Sequence, residues 1–363
     1  MAGPGSFPLS GVRVLEIGGG PPAAFATRLL AGYGADVVRS EGAPGALTPD
    51  EEVYLLAGKR RVQASGDALR DLALAADILI EDHPPGALAG MGLVPERLRR
   101  RKPSLVGVSI TPFGQQGPYA AYEAPNIVSF ALGGIMSLTG HPSRPPLVSG
   151  GSQAQALGGL NAFGAALTAY YGALVHGEGD WLDISLQECA AGMLELYGAM
   201  SESAKTGPVM RSGNQIRAVW GIYPCADGYA GVCCLERQVK SFFALLNDPE
   251  LEEPRFADIL QRAEHDDELQ AKVFAWFLER TKAEILELGP KHRVPFGVVT
   301  TPADLLANNS LAERGYFDTV ATPQGEARVP GRPFLGLPWR PAELRPPAAD
   351  TAAVLDEWLA VRT

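Results

Sequence analysis

The chain has 363 residues and a formal net charge of -10. That length exceeds one ordinary core and implies a large domain plus a smaller one. With 46% hydrophobic and 20% charged residues it can fill a core, which excludes a disordered chain, and its acidic excess argues against a general nucleic-acid binder.

In chain order, the start Met1–Ser6 has no basic stretch followed by an apolar one, so no signal peptide is expected. Val12–Ile17 reads as a strand, Gly18-Gly19-Gly20-Pro21-Pro22 as a turn, Ala23–Tyr33 as a helix and Ala35–Arg39 as a second strand. This βαβ unit carries G-x-G-x-x-A at Gly18, Gly20 and Ala23, with Glu41 placed as a ribose-binding acid would be. Two ligands compete for that pattern: a dinucleotide, or S-adenosylmethionine in a Rossmann-type methyltransferase. Pro21 and Pro22 remove two N–H donors where a phosphate would need them, so a plain strand-to-helix turn with Pro at its first helical position stands beside both.

Asp77–Asp82 reads as a further strand, followed by the loop His83-Pro84-Pro85-Gly86. Ala156–Leu174 is uncharged, but its five residues Gly158, Gly159, Asn161, Gly164 and Gly172 suit a buried helix better than a membrane span. Cys189, Cys225, Cys233 and Cys234 fit neither a disulfide framework nor zinc spacing, which points to buried thiols in a reducing cytoplasm. Asp248–Glu287 is charged and helical with interspersed aromatics. Tyr223–Val232 and Phe296–Val299 read as strands, Gly315–Pro330 as a hairpin, and Thr351–Val361 as a last helix.

Short motifs strung along the whole chain resemble the family III CoA-transferases, the group of formyl-CoA and carnitine CoA-transferases and α-methylacyl-CoA racemases. Among them are Gly34-Ala35-Asp36-Val37-Val38, Gly58-Lys59-Arg60, Pro85-Gly86-Ala87-Leu88 with Met91-Gly92-Leu93, and Phe113–Tyr119. Gly133–Gly140, Gly179–Leu186, Arg211-Ser212-Gly213-Asn214, Tyr223–Tyr229, Val294–Gly297 and Pro330-Gly331-Arg332-Pro333 continue the match. The resemblance implies an α/β fold: a Rossmann-like large domain from residues 1–200, a smaller α+β domain at 201–320 and a return to the large domain over 321–363. It also implies an interlaced homodimer, a coenzyme A thioester as substrate, and no permanently bound cofactor or metal.

The chain departs from that family where the chemistry lies. Its active transferases attack the thioester with an Asp in a Gly-rich turn, a step that needs a carboxylate nucleophile. Aligned on the helix that follows, the Asp position falls on Ala154, or on Gln153 if the turn is one residue longer, and no Asp or Glu occurs between Glu123 and Glu178. Gln153 and Gln155 are amides, able to hydrogen-bond a thioester carbonyl but too weakly nucleophilic to replace the acid. The racemase His is missing as well; the neighbourhood reads Glu123-Ala124-Pro125-Asn126, leaving Glu123 as a relocated base or a surface residue. In the CoA loop, Glu81-Asp82-His83-Pro84 replaces the usual Glu-Asn-Phe, and the basic residue after Glu41 is Gly42. Gly20, Pro21, Lys59, Arg60, Asp82, His83 and Met91 are therefore the candidate CoA contacts, with Arg61 completing a basic triplet that is either a phosphate clamp or a solvated turn. His83 adds an imidazole, a candidate acid or base.

These features imply an acyl-thioester enzyme with altered chemistry, of lyase, dehydratase or isomerase type. The alternatives are a non-catalytic partner of an Asp-bearing paralogue in a heterodimer and, on the one Gly-rich motif, a methyltransferase.

Overall fold

The computed structural model describes residues 7–41, 47–194, 211, 213–322, 324–341 and 343–360. Gly42 and Ser212 lie outside the described residues. The chain divides into two compact units, one of Met1–Met136, Val148–Gly207 and Ser310–Thr363, the other of Ser137–Leu147 and Pro208–Asn309.

The first unit is built on six strands, β1 (Arg13–Ile17), β2 (Asp36–Ser40), β3 (Arg60–Val62), β4 (Ile78–Glu81), β5 (Val106–Thr111) and β6 (Trp181–Ser185). They form one parallel sheet in the order β3-β2-β1-β4-β5-β6. Runs such as Ile78-Leu79-Ile80 are apolar on both faces because helices cover both, as a parallel sheet requires. The Pro21–Gly32 and Gln153–His176 helices pack on one face, around Val14, Ile80, Val108, Ala162 and Ala166. The Gly66–Ala75 and Thr351–Leu359 helices cover the other, around Leu15, Leu79, Leu72 and Trp358. Trp358 Nε1 donates to Asp36 at 2.7 Å, which ties the far end of the chain to β2.

Pro at N1 and Gly20 as N-cap start the first helix at Pro21, two residues before the expected Ala23, because Pro costs nothing where the N–H has no helical partner. A hairpin of β11 (Phe317–Thr322) and β12 (Gly325–Pro330) also belongs to the first unit, its Val320 and Val329 packing on Ala57.

The second unit has an antiparallel sheet in the order β10-β9-β8-β7, made of β7 (Gln215–Arg217), β8 (Trp220–Cys225), β9 (Gly228–Cys233) and β10 (Phe296–Val298). Three helices, Glu236–Leu246, Asp266–Leu278 and Lys282–His292, supply its core partners. Tyr223 stacks on Phe277 with centroids 4.9 Å apart and donates its hydroxyl to Ala218 O at 2.6 Å, so its polar end is satisfied inside the core.

Candidate functional site

In a sheet ordered β3-β2-β1-β4-β5-β6 the chain direction across the sheet reverses between β1 and β4, and the crevice at the carboxyl ends of those strands is where such folds bind ligands. The Gly18–Ala23 turn forms one wall. It is occupied from within: Asp82 Oδ1 accepts the N–H groups of Gly19 at 3.1 Å and Gly20 at 3.3 Å, and Oδ2 that of Ala23 at 3.2 Å.

The glycines are explained by this acid. A Cβ on Gly18 would stand 2.2 Å from Asp82 Oδ1, and one on Gly20 2.7 Å from Oδ2. Burial raises the Asp82 carboxyl above its ordinary range while the Ala23 and Gly20 N–H groups hold it down in part. The dinucleotide and S-adenosylmethionine readings are corrected accordingly. Two donors are lost to Pro21 and Pro22, and three others are committed to Asp82. Gly20 and Asp82 tie their two loops together, Pro21 has no N–H to add, and Glu41 is ion-paired with Arg61 instead of facing a ribose.

The basic triplet is absorbed by the framework too. Lys59 is 1% exposed, and its Nζ donates to Glu16 Oε2 at 2.7 Å and to Ala24 O at 2.8 Å. Arg39 completes the cluster on Glu16 Oε1, and Thr27 donates to Oε2 at 2.6 Å. Burial alone would raise the Glu16 carboxyl, but Lys59 and Arg39 hold it down at about 2. Burial likewise lowers the Lys59 ammonium to about 8 against the pull of Glu16. Arg60 pairs with Glu357, and Arg61 with Glu41 and with Glu52 at 3.6 Å. Each cation of the triplet is thus buried or ion-paired, and binding a phosphate would require it to give up that partner.

The turn before the Gln153–His176 helix lies at the same end of the sheet. A Cβ on Gly158 would meet Leu186 at 2.1 Å and Ile110 at 3.8 Å, and one on Gly159 would meet Pro22 O at 2.6 Å. These contacts hold the first turns of the long helix against β5 and the start of the Pro21–Gly32 helix. Ser152, the N-cap, makes no side-chain cap bond. Asn126 takes that role: its Oδ1 accepts the N–H groups of Ala154 at 3.0 Å and Gln155 at 3.4 Å, and its Nδ2 donates to Gly151 O at 3.4 Å.

Gln153 is exposed and donates its amide to Gly150 O at 3.2 Å. Ala154 is only 1% exposed, whereas Gln155 is half-buried and its amide has no hydrogen-bond partner among the described residues. Glu123 is exposed three residues before Asn126. His83 is half-buried, and Met91 is 36% exposed at the end of the short Ala87–Gly90 helix. Sequence reasoning missed Asn126 as a cap, since a cap that reaches across 28 residues leaves no local spacing to read.

It also missed Glu81, which closes the apolar strand Ile78-Leu79-Ile80 at 2% exposure. Burial pushes its carboxyl up to about 7, with hydrogen bonds from Ser109 and His83 opposing only in part. The one available signal was an acid at the end of a strand buried on both faces. Among the described residues no group of His, Cys, Asp and Glu could hold a metal ion, and no helix is long and apolar enough to cross a membrane.

The family model "CoA-transferase family III" matches residues 60–351, so the chain belongs to that family. It is 32% identical to a succinyl-CoA–D-citramalate CoA-transferase of Chloroflexus aurantiacus, over 89% of this chain and 86% of that protein. It is 28% identical to a formyl-CoA:oxalate CoA-transferase of Streptomyces coelicolor, over 90% of this chain and 92% of the relative. A CAIB/BAIF family protein from Brucella suis has the same fold, with a TM-score of 0.86 at 26% identity, covering 97% of this chain and 100% of the other.

Proposed function

We propose that the protein acts on an acyl thioester of coenzyme A without an aspartyl nucleophile. The observation that carries this reading is the composition of the turn before the Gln153–His176 helix. Its exposed and half-exposed side chains, Gln153 and Gln155, are amides, and the remaining candidate position is a buried methyl group, Ala154. An amide donates a hydrogen bond to a carbonyl but forms no stable acyl anhydride, so the chemistry shifts from transfer toward a lyase, dehydratase or isomerase step. Gln155, whose amide is uncommitted, is the group that polarises the thioester carbonyl. The Ala154 and Gln155 N–H groups are spent on Asn126 and do not serve as an oxyanion hole.

His83 and Glu123 are the remaining titratable candidates for proton transfer, and Met91 for contact with the pantetheine arm. The family relatives named as CoA-transferases support the thioester as substrate class. Incubating the purified protein with a panel of acyl-CoA thioesters and following mass changes tests the proposal; neither binding nor turnover across the panel would sink it. The free thiols of Cys189, Cys225, Cys233 and Cys234 support the cytoplasm, a reducing compartment, as its setting.

A second reading keeps the fold and drops the chemistry, the chain acting as partner subunit to an Asp-bearing paralogue. It is favoured by 28% identity, over 89% of this chain and 86% of the relative, to a protein of Thauera aromatica named as subunit BbsE of a succinyl-CoA:(R)-benzylsuccinate CoA-transferase. Activity that appears only on co-expression with such a paralogue would select this reading. Asp82 in the Gly-rich turn leaves little to support a methyltransferase.

A further inference from the structure

The second unit holds a pocket of its own. It has a volume of about 130 Å³, with Val219, Ile259, Ala263 and Leu269 among its apolar walls. Four charged side chains also line it, those of Arg217, Glu236, Arg262 and Asp266. Ile259 is 47% exposed and Ala263 is exposed, so the pocket opens to solvent on that side. A space of this size admits a ligand of roughly six heavy atoms.

Three of the four charges are spent inside the unit. Arg262 is 5% exposed, donates to Phe256 O at 3.0 Å and forms an ion pair with Glu236. Asp266 accepts the Ala218 N–H on Oδ1 at 2.9 Å and the Gln270 amide on Oδ2 at 3.1 Å. Arg217 is the exception. Among the described residues its guanidinium donates no hydrogen bond and forms no ion pair, and its Nε is sealed from solvent without a partner. The guanidinium carbon lies over the Trp220 ring, 5.3 Å from its centroid. Such a contact steadies the group through its face and leaves the N–H donors in its plane for a further partner.

We propose that this pocket binds a small monocarboxylate. The carboxylate takes the in-plane donors of Arg217, a fork that matches two oxygens, and an alkyl end of roughly one to three carbons rests on Val219, Ile259, Ala263 and Leu269. The one uncommitted charge selects an anion. Because Glu236 and Asp266 are already engaged, no carboxylate is left for an ammonium group, which disfavours an amino acid. The apolar walls disfavour inorganic phosphate, whose remaining oxygens would lie against them without donors. An occupant joins the end of β7 to the Ile259–Glu264 and Asp266–Leu278 helices, so binding stabilises the second unit. Every residue named belongs to that unit, and the site does not rest on the thioester reading of the crevice.

Saturation-transfer difference NMR with sodium propionate as the probe, at constant ionic strength in chloride, tests the site. The wild type should bind it with a Kd on the order of 1 mM, given the few atoms in contact. Arg217→Gln removes the fork and Ala263→Glu sets a negative charge at the rim, and each should weaken binding by about tenfold or more. Ala263 is exposed, so its replacement tests the site even where Arg217→Gln fails to fold. No saturation transfer up to about 50 mM propionate overturns the proposal. So does a folded variant that binds within about twofold of the wild type, since the propionate then sits elsewhere, the crevice included. Propylammonium as a second probe and inorganic phosphate as a competitor should bind at least about tenfold more weakly, and parity with either refutes the carboxylate assignment.

Discussion

At Asp82 one carboxylate serves three N–H groups of the Gly18–Ala23 turn, so truncating it strands donors at the head of a buried helix. Asp82→Ala is expected to lower stability by about 3 kcal/mol, with Asp82→Asn costing less because one acceptor oxygen remains; urea unfolding of the two variants checks the order. Glu16 and Glu81 act in opposite senses on the pH dependence of stability. Glu16 is held at about 2 when folded, so its contribution is present above pH 4.5 and lost as pH falls toward 2. Glu81 is raised to about 7, so its neutral form favours the fold below pH 4.5 and that advantage is lost as pH rises toward 7. Glu81→Gln should therefore gain stability over wild type at pH 8 relative to pH 5, by about 3 kcal/mol at most. An unchanged difference between the two pH values would refute the buried, raised carboxyl. None of this was legible in the sequence, where Asp82 read as a CoA contact and Glu81 as one letter of a strand.

The Gln153–His176 helix is an element whose glycines do different work along its length. Gly158 and Gly159 touch Leu186 and the Pro22 carbonyl, whereas Gly164 and Gly172 would place a Cβ in open space. Gly159→Ala should cost about 2 kcal/mol through overpacking, while Gly164→Ala should raise stability by about 0.5 to 1 kcal/mol through helix propensity. Thermal melts that moved both variants in the same direction would contradict the close approach at Pro22. Asn126→Ala removes the cap of this helix and should cost about 1 kcal/mol. The helix itself was legible from its uncharged, Gly- and Ala-rich stretch, but the expected burial holds only on the side of Gly158, Gly159, Ala162, Ala166 and Ala173. Its cap was not legible, because Asn126 comes from another helix.

For the molecule as a whole, the acid-free long helix leaves Leu160, Tyr171, Leu174 and Val175 exposed, at 51%, 70%, 67% and 56%. An apolar face of that kind on an otherwise acidic protein fits the interlaced homodimer proposed from the family resemblance. Analytical ultracentrifugation should find a dimer for the wild type and a monomer, or a much weaker dimer, for Leu174→Asp paired with Tyr171→Asp. A monomeric wild type would count against it.

The sequence by itself determined several of the elements, the family and the absence of any acid between Glu123 and Glu178, because strand and helix periodicity, turn residues and composition are local properties of the chain. Only the tertiary structure decided what the charged residues do. Lys59 meets Glu16 across 43 positions, Asp82 meets Gly19 across 63, and Arg61 donates its N–H to Asp350 across 289. A charge in a sequence is free to bind a ligand or a neighbour, and burial settles the choice, since an ion removed from water must be paired or neutralised wherever the fold happens to put it.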